Sequence, residues 1–434
     1  MSGKLTLTLR AYRLLSAAAT PFVPLLLARR LKRGKEHRRR LFERRGESRV
    51  PRPEGPLVWL HAASVGELVS VLPLVERIRS RGFAMLVTTG TVTSSGLAEQ
   101  RLPRGVIHQF LPVDVPRYMR RFLDYWKPDL AMFVESDLWP NMVIEASKRS
   151  VPMILVNGRL SENSFRRWRL LPKTIVNLLQ RLDLCLAGTP GDAERLVELG
   201  APRVINTGNL KLDVPAPAAD PAKLQALQDA IGGRTVIAAA STHADEEGIV
   251  IEAHNRLRGN FRGLLTIIAP RHPERGPGVI KIAAAAGLKT AQRSRGELPS
   301  AATDIYVADT MGELGLIYRV APVVFMGGSL VSHGGQNPIE PAKLGAAILH
   351  GPHVWNFAEI YSALDAARGA ELVNDAKQLT AGLAAWLGDE AARQQAAKIA
   401  HTTVDALGGA LERTLQSLDP YLMQLQLRQR AHYA

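Results

Sequence analysis

Residues 56–90 read PLVWLHAASVGELVSVLPLVERIRSRGFAMLVTTG, and the fold is decided in this stretch. It holds an apolar run at 56–62 ending in turn residues, a periodic helix candidate from Val65 to Arg81, and a second apolar run at 83–90. Neither run alternates strictly between apolar and polar positions. Short apolar runs separated by helical segments are the pattern of parallel strands buried on both faces. The unit recurs at 108–113, 130–136, 152–158 and 184–188. It resumes after the Pro- and Ala-rich DVPAPAADPA at 213–222, with runs at 235–241, 264–270, 304–310, 322–329, 346–352 and 370–376. The class is therefore α/β, with two Rossmann-like parallel-sheet domains expected to face each other across a cleft at the carboxyl ends of their strands. The boundaries expected are 1–50 for a membrane-anchoring and basic segment, 51–215 for the first domain, 216–230 for a linker and 231–411 for the second domain. Residues 412–434 are expected to form a helix or tail returning to the first domain.

A chain of 434 residues is too long for one core. Its 46% hydrophobic and 22% charged residues exclude wholesale disorder. One cysteine excludes both an internal disulfide and a cysteine metal cluster, leaving the chemistry to carboxylates, His, Lys, Arg and backbone groups. The net charge of +15 looks like a nucleic-acid signature until it is located. Between Arg29 and Arg45 stand ten Lys or Arg against two Glu, so about half of the surplus lies in this one segment. The rest is thinly spread, which argues against nucleic acid and suits an anionic substrate.

Before the basic run, Leu14 to Ala28 carries no charge. As a helix it would reach about 22 Å, short of a hydrocarbon core of about 30 Å, and Pro21 and Pro24 interrupt it. The expectation is a peripheral or monotopic anchor on an anionic membrane surface, with a basic collar on the cytoplasmic face. The alternative is an amphipathic helix packed on the protein's own body.

The residues at strand ends carry the site argument. After the first run come His61-Ala62-Ala63-Ser64-Val65-Gly66-Glu67. Ser64 and Glu67 have capping-box spacing, which explains both residues structurally. The functional reading makes Glu67 a carboxylate that takes a proton from an attacking hydroxyl, although a first-turn Glu is stabilised as the anion and so weakened as a base. Gly66 lets a bound group approach the backbone. After the fourth run, Glu135, Asp137 and Trp139 leave the core together. They read either as a ligand-orienting carboxylate with an apolar indole face for a sugar or acyl surface, or as an acidic helix start with the Trp packed inward. Arg159 and Lys211 add cations at strand ends, suggesting a substrate carboxylate or phosphate.

In the second half, Pro270, Arg271 and His272 follow a strand directly, and Met311, Gly312 and Glu313 form a glycine turn before a helix. The longest signal is Gly327 to Glu340. There Asn337 as N-cap, Pro338 at N1 and Glu340 at N3, with Ile339 between, predict a helix start. Backbone donors of the preceding glycines and the helix terminus suit an anion or phosphate, with Glu340 placed for a ribose. Neither a Walker loop nor a dinucleotide fingerprint is present. His254, His350 and His353 offer no close ligand pair, and the acids after His243 read as a helix's first turn, so no metal and no cofactor are expected.

HAASVGE, ESDLWPN, NGRLS, GNLK, APRHPER, DTMGEL, GGSLVSHGGQNPIE and GPHVWNF stand here in one order. With them the chain closely resembles the 3-deoxy-D-manno-octulosonic acid (Kdo) transferases of lipopolysaccharide synthesis, over nearly its whole length. The resemblance implies a GT-B fold and inverting transfer of Kdo from CMP-Kdo to lipid IVA or a related lipid A precursor, on the cytoplasmic side of the inner membrane. It implies no nucleotide-bound metal, and no stable protein partner is expected. Glu67 then looks like the general base, and Glu135 and Lys211 like the pair assigned to transition-state stabilisation. Pro270 and Arg271, Met311 to Glu313, and Asn337 to Glu340 look like CMP-binding loops. Another GT-B nucleotide-sugar transferase and a non-catalytic sugar-nucleotide-binding protein are the alternative readings.

Overall fold

The structure, a computed structural model, describes residues 4–433, and side chains through 428; residues 1–3 and 434 of the two terminal segments lie outside it. The chain divides into two compact units, Met1–Val214 with Gly408–Ala434, and Pro215–Leu407. The first unit holds strands β1 Leu57–His61, β2 Ala84–Thr89, β3 Ile107–Phe110, β4 Leu130–Val134, β5 Met153–Gly158, β6 Leu184–Ala187 and β7 Val204–Asn206. The second holds β8 Val236–Thr242, β9 Leu265–Pro270, β10 Thr290–Gln292, β11 Ile305–Val307, β12 Val323–Met326, β13 Ala347–His350 and β14 Ala370–Leu372.

Each unit is one seven-stranded sheet, ordered β3-β2-β1-β4-β5-β6-β7 and β10-β11-β9-β8-β12-β13-β14. All pairings are parallel. β1 and β4 are buried at every position, and two apolar clusters cover the two faces of the first sheet. A strand buried on both faces cannot release a charged side chain along its length. The polar groups therefore emerge at carboxyl ends, and ligands of such sheets gather where the strand order reverses direction. That switch point lies between β1 and β4 in the first unit and between β8 and β12 in the second.

Two strands escaped the sequence reading, β7 and β10, each three residues long at a sheet edge. Half-buried edge strands of that length carry too few apolar residues to stand out. The stretch 216–230, expected as a linker, contains most of a helix, Pro221–Ile231. Asp220 caps it by accepting from the N–H groups of Ala222 and Lys223, and Pro221 opens it.

The segment 1–50 is built into the first unit rather than appended to it. Helices Leu7–Ala18 and Val23–Lys32 meet at a 45° bend around the two prolines, and among the described residues no single helix is long and apolar enough to cross a membrane. Leu9 joins the main core, Val23 and Leu27 pack with Val115 and Tyr118, and the Tyr12 hydroxyl donates to Asp114 Oδ2 at 2.9 Å. The basic run is likewise partly structural. Seven of its ten Lys and Arg are exposed, while Arg30, Arg40 and Arg44 pair with buried Glu36 and Glu43. Arg44 is buried: its Nε donates to Glu36 at 2.8 Å, and its remaining nitrogens donate to the carbonyls of Leu111 at 3.0 Å and Gly90 at 2.6 Å. Replacing Arg44 by Met leaves those carbonyls unpaired and removes one of the two arginines on Glu36. R44M is expected to lose about 3 kcal/mol in urea unfolding; wild-type stability would show that the network contributes nothing.

Candidate active site

In the first unit, β1 ends in His61 and the chain turns into the helix Val65–Ser80, capped by Ser64. The Ser64 hydroxyl accepts from Glu67 N–H at 3.3 Å and donates to Glu67 Oε1 at 2.8 Å, while Oε2 accepts from Ala63 N–H at 2.7 Å. The Ser64 cap is thus present but the capping box is not closed, since Glu67 reaches back to the Ala63 amide and the cap hydroxyl and not to the Ser64 amide. Burial nevertheless pushes the Glu67 carboxyl above its ordinary range, against those hydrogen bonds, and the neighbouring Glu135 carboxylate pushes the same way. Of the two opposed effects that the sequence presents, burial wins. A Cβ placed on Gly66 meets nothing within 4 Å, so packing does not demand glycine there.

β4 is the neighbour of β1, with Phe133 in register with His61, so the two connecting loops leave the sheet side by side. Glu135 follows β4 with φ of +59°, a left-handed conformation uncommon for a residue with a side chain. Its Oε1 lies 2.7 Å from Lys211 Nζ. Trp139, an inward-packed residue in one reading of the sequence, is 43% exposed. Arg159 directly follows β5, on the side of β4 away from β1.

In the second unit, Pro270 closes β9 in the interior, and Arg271 and His272 are exposed just beyond it. His243, after β8, joins this loop to the glycine-rich one, stacking on His333 with ring centres 4.1 Å apart and meeting the edge of His272 at 5.9 Å. Burial, with the neighbouring His333, His272, Arg271 and Arg275, lowers His243 to about 4. Met311 and Gly312 are reached through Asp309, whose carboxylate lies against Gly276, where any Cβ would collide with it. The three expected loops of this unit therefore lie together.

Their chemistry differs from the sequence reading in three places. The amides of Gly328, Ser329 and Leu330 do not face outward as phosphate donors. They point at the buried carboxylate of Glu246 at 2.7, 3.0 and 3.0 Å, which also accepts from His243 N–H at 2.9 Å. Glu246 sits at the start of the helix Glu246–Leu257 with no exposed surface. Its sequence signal, two acids after a strand, is the same as that of solvated first-turn acids. Second, the helix expected from Asn337 is the five-residue turn Ile339–Lys343. Asn337 Oδ1 does accept from Ile339 N–H at 3.0 Å, but the cap position falls on Pro338, one residue later than expected, and the helix runs through Pro341 and stops before Gly345, whose φ is +76°. Third, the Glu313 carboxylate is engaged by Arg293 at 2.8 and 3.2 Å, Lys223 at 2.8 Å and Thr310 at 2.5 Å, so it braces the Met311–Gly312 turn. Glu340 is pushed above its ordinary range by burial, partly offset by Asn337. Among the described residues no group of three or more His, Cys, Asp or Glu is arranged to hold a metal ion.

The family described as 3-deoxy-D-manno-octulosonic-acid transferase (kdotransferase) matches residues 39–214. The chain is 33% identical to the 3-deoxy-D-manno-octulosonic acid transferase of Haemophilus influenzae, over 89% of this chain and 92% of that one. It belongs to the Kdo transferases. Its identity to the Bordetella pertussis member is 36%, over 87% of this chain and 90% of the relative. As a Kdo transferase it is a glycosyltransferase, and the site residues above lie in a fold shared more widely. A putative UDP-N-acetylglucosamine 2-epimerase from Listeria monocytogenes superposes with a TM-score of 0.61 at 13% identity, over 85% of this chain and 97% of that one, a likeness of fold alone.

The Glu313 cluster of this Kdo transferase makes a pH prediction. Arg293 holds the Glu313 carboxyl at about 2, below its ordinary 4.5, so its ion pairs stabilise the fold above about pH 4.5, and that contribution is lost as pH falls through about 2. The stability gap between wild type and E313Q, followed by thermal unfolding, is expected to be constant near neutrality and to close in this acid window. A gap that persists unchanged to pH 2 would contradict the pairing.

Proposed function

We propose that the chain transfers Kdo from CMP-Kdo to lipid IVA or a related lipid A precursor, with inversion and release of CMP. An acceptor hydroxyl oxygen attacks the ketosidic carbon as the bond from that carbon to the phosphate oxygen breaks. The electron pair leaves with CMP, and the hydroxyl proton goes to Glu67. Since CMP departs as a stabilised anion, a base is needed more than an acid. The second unit supplies the donor side: Arg271 for the phosphate, with the Met311–Glu313 turn and Asn337–Glu340 for the nucleoside. Lys211 and Glu135 sit by the base, where charge develops in the transition state.

The observation carrying this reading is the partly buried Glu67 carboxylate, raised by burial at a switch point beside an acid–lysine pair. A cap alone is worth about 0.5 to 2 kcal/mol, and Gln preserves an acceptor for Ala63 N–H. E67Q is therefore expected to keep the fold and CMP-Kdo affinity while losing on the order of 10² to 10⁴ in single-turnover transfer. Near-normal transfer by a folded E67Q would reduce Glu67 to its cap.

The membrane reading rests on the face of the first two helices that the body leaves uncovered. Leu14, Leu15, Phe22 and Leu25 are each about 70% exposed. Beside them, a groove of about 520 Å³ runs between Ala17, Pro21 and Pro24 and the arginines Arg117 and Arg120. Apolar side chains flanked by exposed cations suit the boundary of an anionic bilayer. Because Leu9, Val23 and Leu27 belong to the interior, the informative variant changes the outer face only. L14S/L15S/F22S/L25S is expected to stay folded and to stop co-sedimenting with anionic phospholipid vesicles. Undiminished co-sedimentation would remove this face as the anchor.

A further inference from the structure

His61 is fully buried at the end of β1, and its two ring nitrogens are both engaged. Nδ1 lies 2.9 Å from Thr88 Oγ1 and 3.1 Å from the Thr88 carbonyl oxygen, and Nε2 lies 2.9 Å from Asp137 Oδ2. The same Thr88 Oγ1 receives the Trp59 indole N–H at 2.9 Å. An indole N–H only donates, so Thr88 Oγ1 accepts from Trp59. A carboxylate only accepts, so Nε2 carries a hydrogen and donates it to Asp137 Oδ2. A chain of three buried groups thus ends by gripping one oxygen of a carboxylate that is itself partly open to solvent, with 28% of the Asp137 side chain exposed. The other oxygen, Oδ1, makes no hydrogen bond among the described residues. Two positions on, Trp139 carries its exposed indole.

This wall stands next to Glu67. β1 and β4 are paired with His61 opposite Phe133, and Glu135, two residues before Asp137, is near enough to act on the Glu67 carboxyl. An aimed carboxylate oxygen beside an exposed aromatic face is chemistry that recognises a sugar ring: the oxygen accepts from a hydroxyl, and the indole covers the apolar face of the ring. We infer that Asp137 and Trp139 form a subsite for the sugar ring of the acceptor, and that His61 is the positioning residue that aims the Asp137 carboxylate. The assignment to the acceptor rests on the proposed role of Glu67, since the hydroxyl that Glu67 deprotonates must belong to a ring held at this edge of the first unit.

The test is equilibrium binding of lipid IVA, dispersed in a zwitterionic detergent, to the full-length chain without CMP-Kdo. No chemistry takes place, so the outcome is independent of whether Glu67 is the base. D137N keeps an oxygen for His61 Nε2–H but replaces the open acceptor by an amide N–H, and W139A removes the platform. Each is expected to weaken lipid IVA binding about tenfold or more, the usual scale of a hydrogen bond to a charged group, with CMP-Kdo affinity and thermal midpoint unchanged. H61Q, which can still donate to Asp137, is expected to bind better than H61A at equal stability. Unchanged lipid IVA affinity in folded D137N would overturn the subsite. So would weakening by W139A alone, which marks an acyl surface, or an equal loss of CMP-Kdo affinity, which places the wall at the donor sugar. If E67Q transfers normally while D137N still loses lipid IVA, the base assignment falls and the subsite stands.

Discussion

Lys211 Nζ stands 2.7 Å from Glu135 Oε1, and four separated segments must be in place for that contact to exist. Glu135 holds its left-handed turn with its N–H on the Val156 carbonyl at 3.0 Å. Lys211 rides on the short turn Leu210–Leu212, whose Leu210 N–H is held by Asn157 Oδ1 at 3.0 Å and whose Lys211 N–H is held by Asn209 Oδ1 at 3.0 Å. The turn is then locked from the far end of the chain. Asp213 accepts from Gly409 N–H at 2.7 Å and from Leu411 N–H, and Arg413 donates to the Thr207 carbonyl at 2.8 Å. The carboxyl-terminal helix Ala410–Tyr433 thus returns from the second unit to fix a lysine in the first. That lysine offsets the charge of a second carboxylate beside Glu67. Two acids at one strand edge without a cation would oppose each other's ionisation.

The two units use one constraint in two ways. In both, an all-parallel sheet forces polar groups to the carboxyl ends, and in both a glutamate follows the first strand of the sheet at the switch point. In the first unit that glutamate closes a local cap and keeps some exposure. In the second, Glu246 is taken wholly inside and spends its oxygens on four backbone amides, making the glycine-rich loop rigid. A buried carboxylate with that many donors is a fixed structural element, so these loop amides are not free to meet an anion.

Strand-rich regions were legible because period and length suffice: a fully apolar run such as Leu130–Val134 has one reading once helical segments flank it. The positions at strand ends were legible for the same reason, since Glu135 and Arg271 each follow an apolar run directly and Glu67 lies in the first turn of the helix after one. What stayed hidden was partnership. Nothing near Glu246 in sequence announces that three of its four amide donors lie more than eighty residues away. Likewise, the pairing of His61 with Asp137 requires knowing that β4, and not β2 alone, lies beside β1. The outward glycine amides were expected from composition and withdrawn by packing, and the helix expected from Asn337 begins a residue late, with Pro338 in the cap position, and stops before Gly345.

The central claim is that burial makes Glu67 a base in spite of its cap, and the pH dependence of kcat/KM for transfer by the wild-type enzyme tests it most directly. Burial raises the Glu67 carboxyl above the ordinary 4.5, so the reactive carboxylate form is populated only above the raised value. The account predicts an acid limb whose midpoint lies above 4.5. An acid limb centred below 4.5 would mean that the capping hydrogen bonds dominate, and would contradict it.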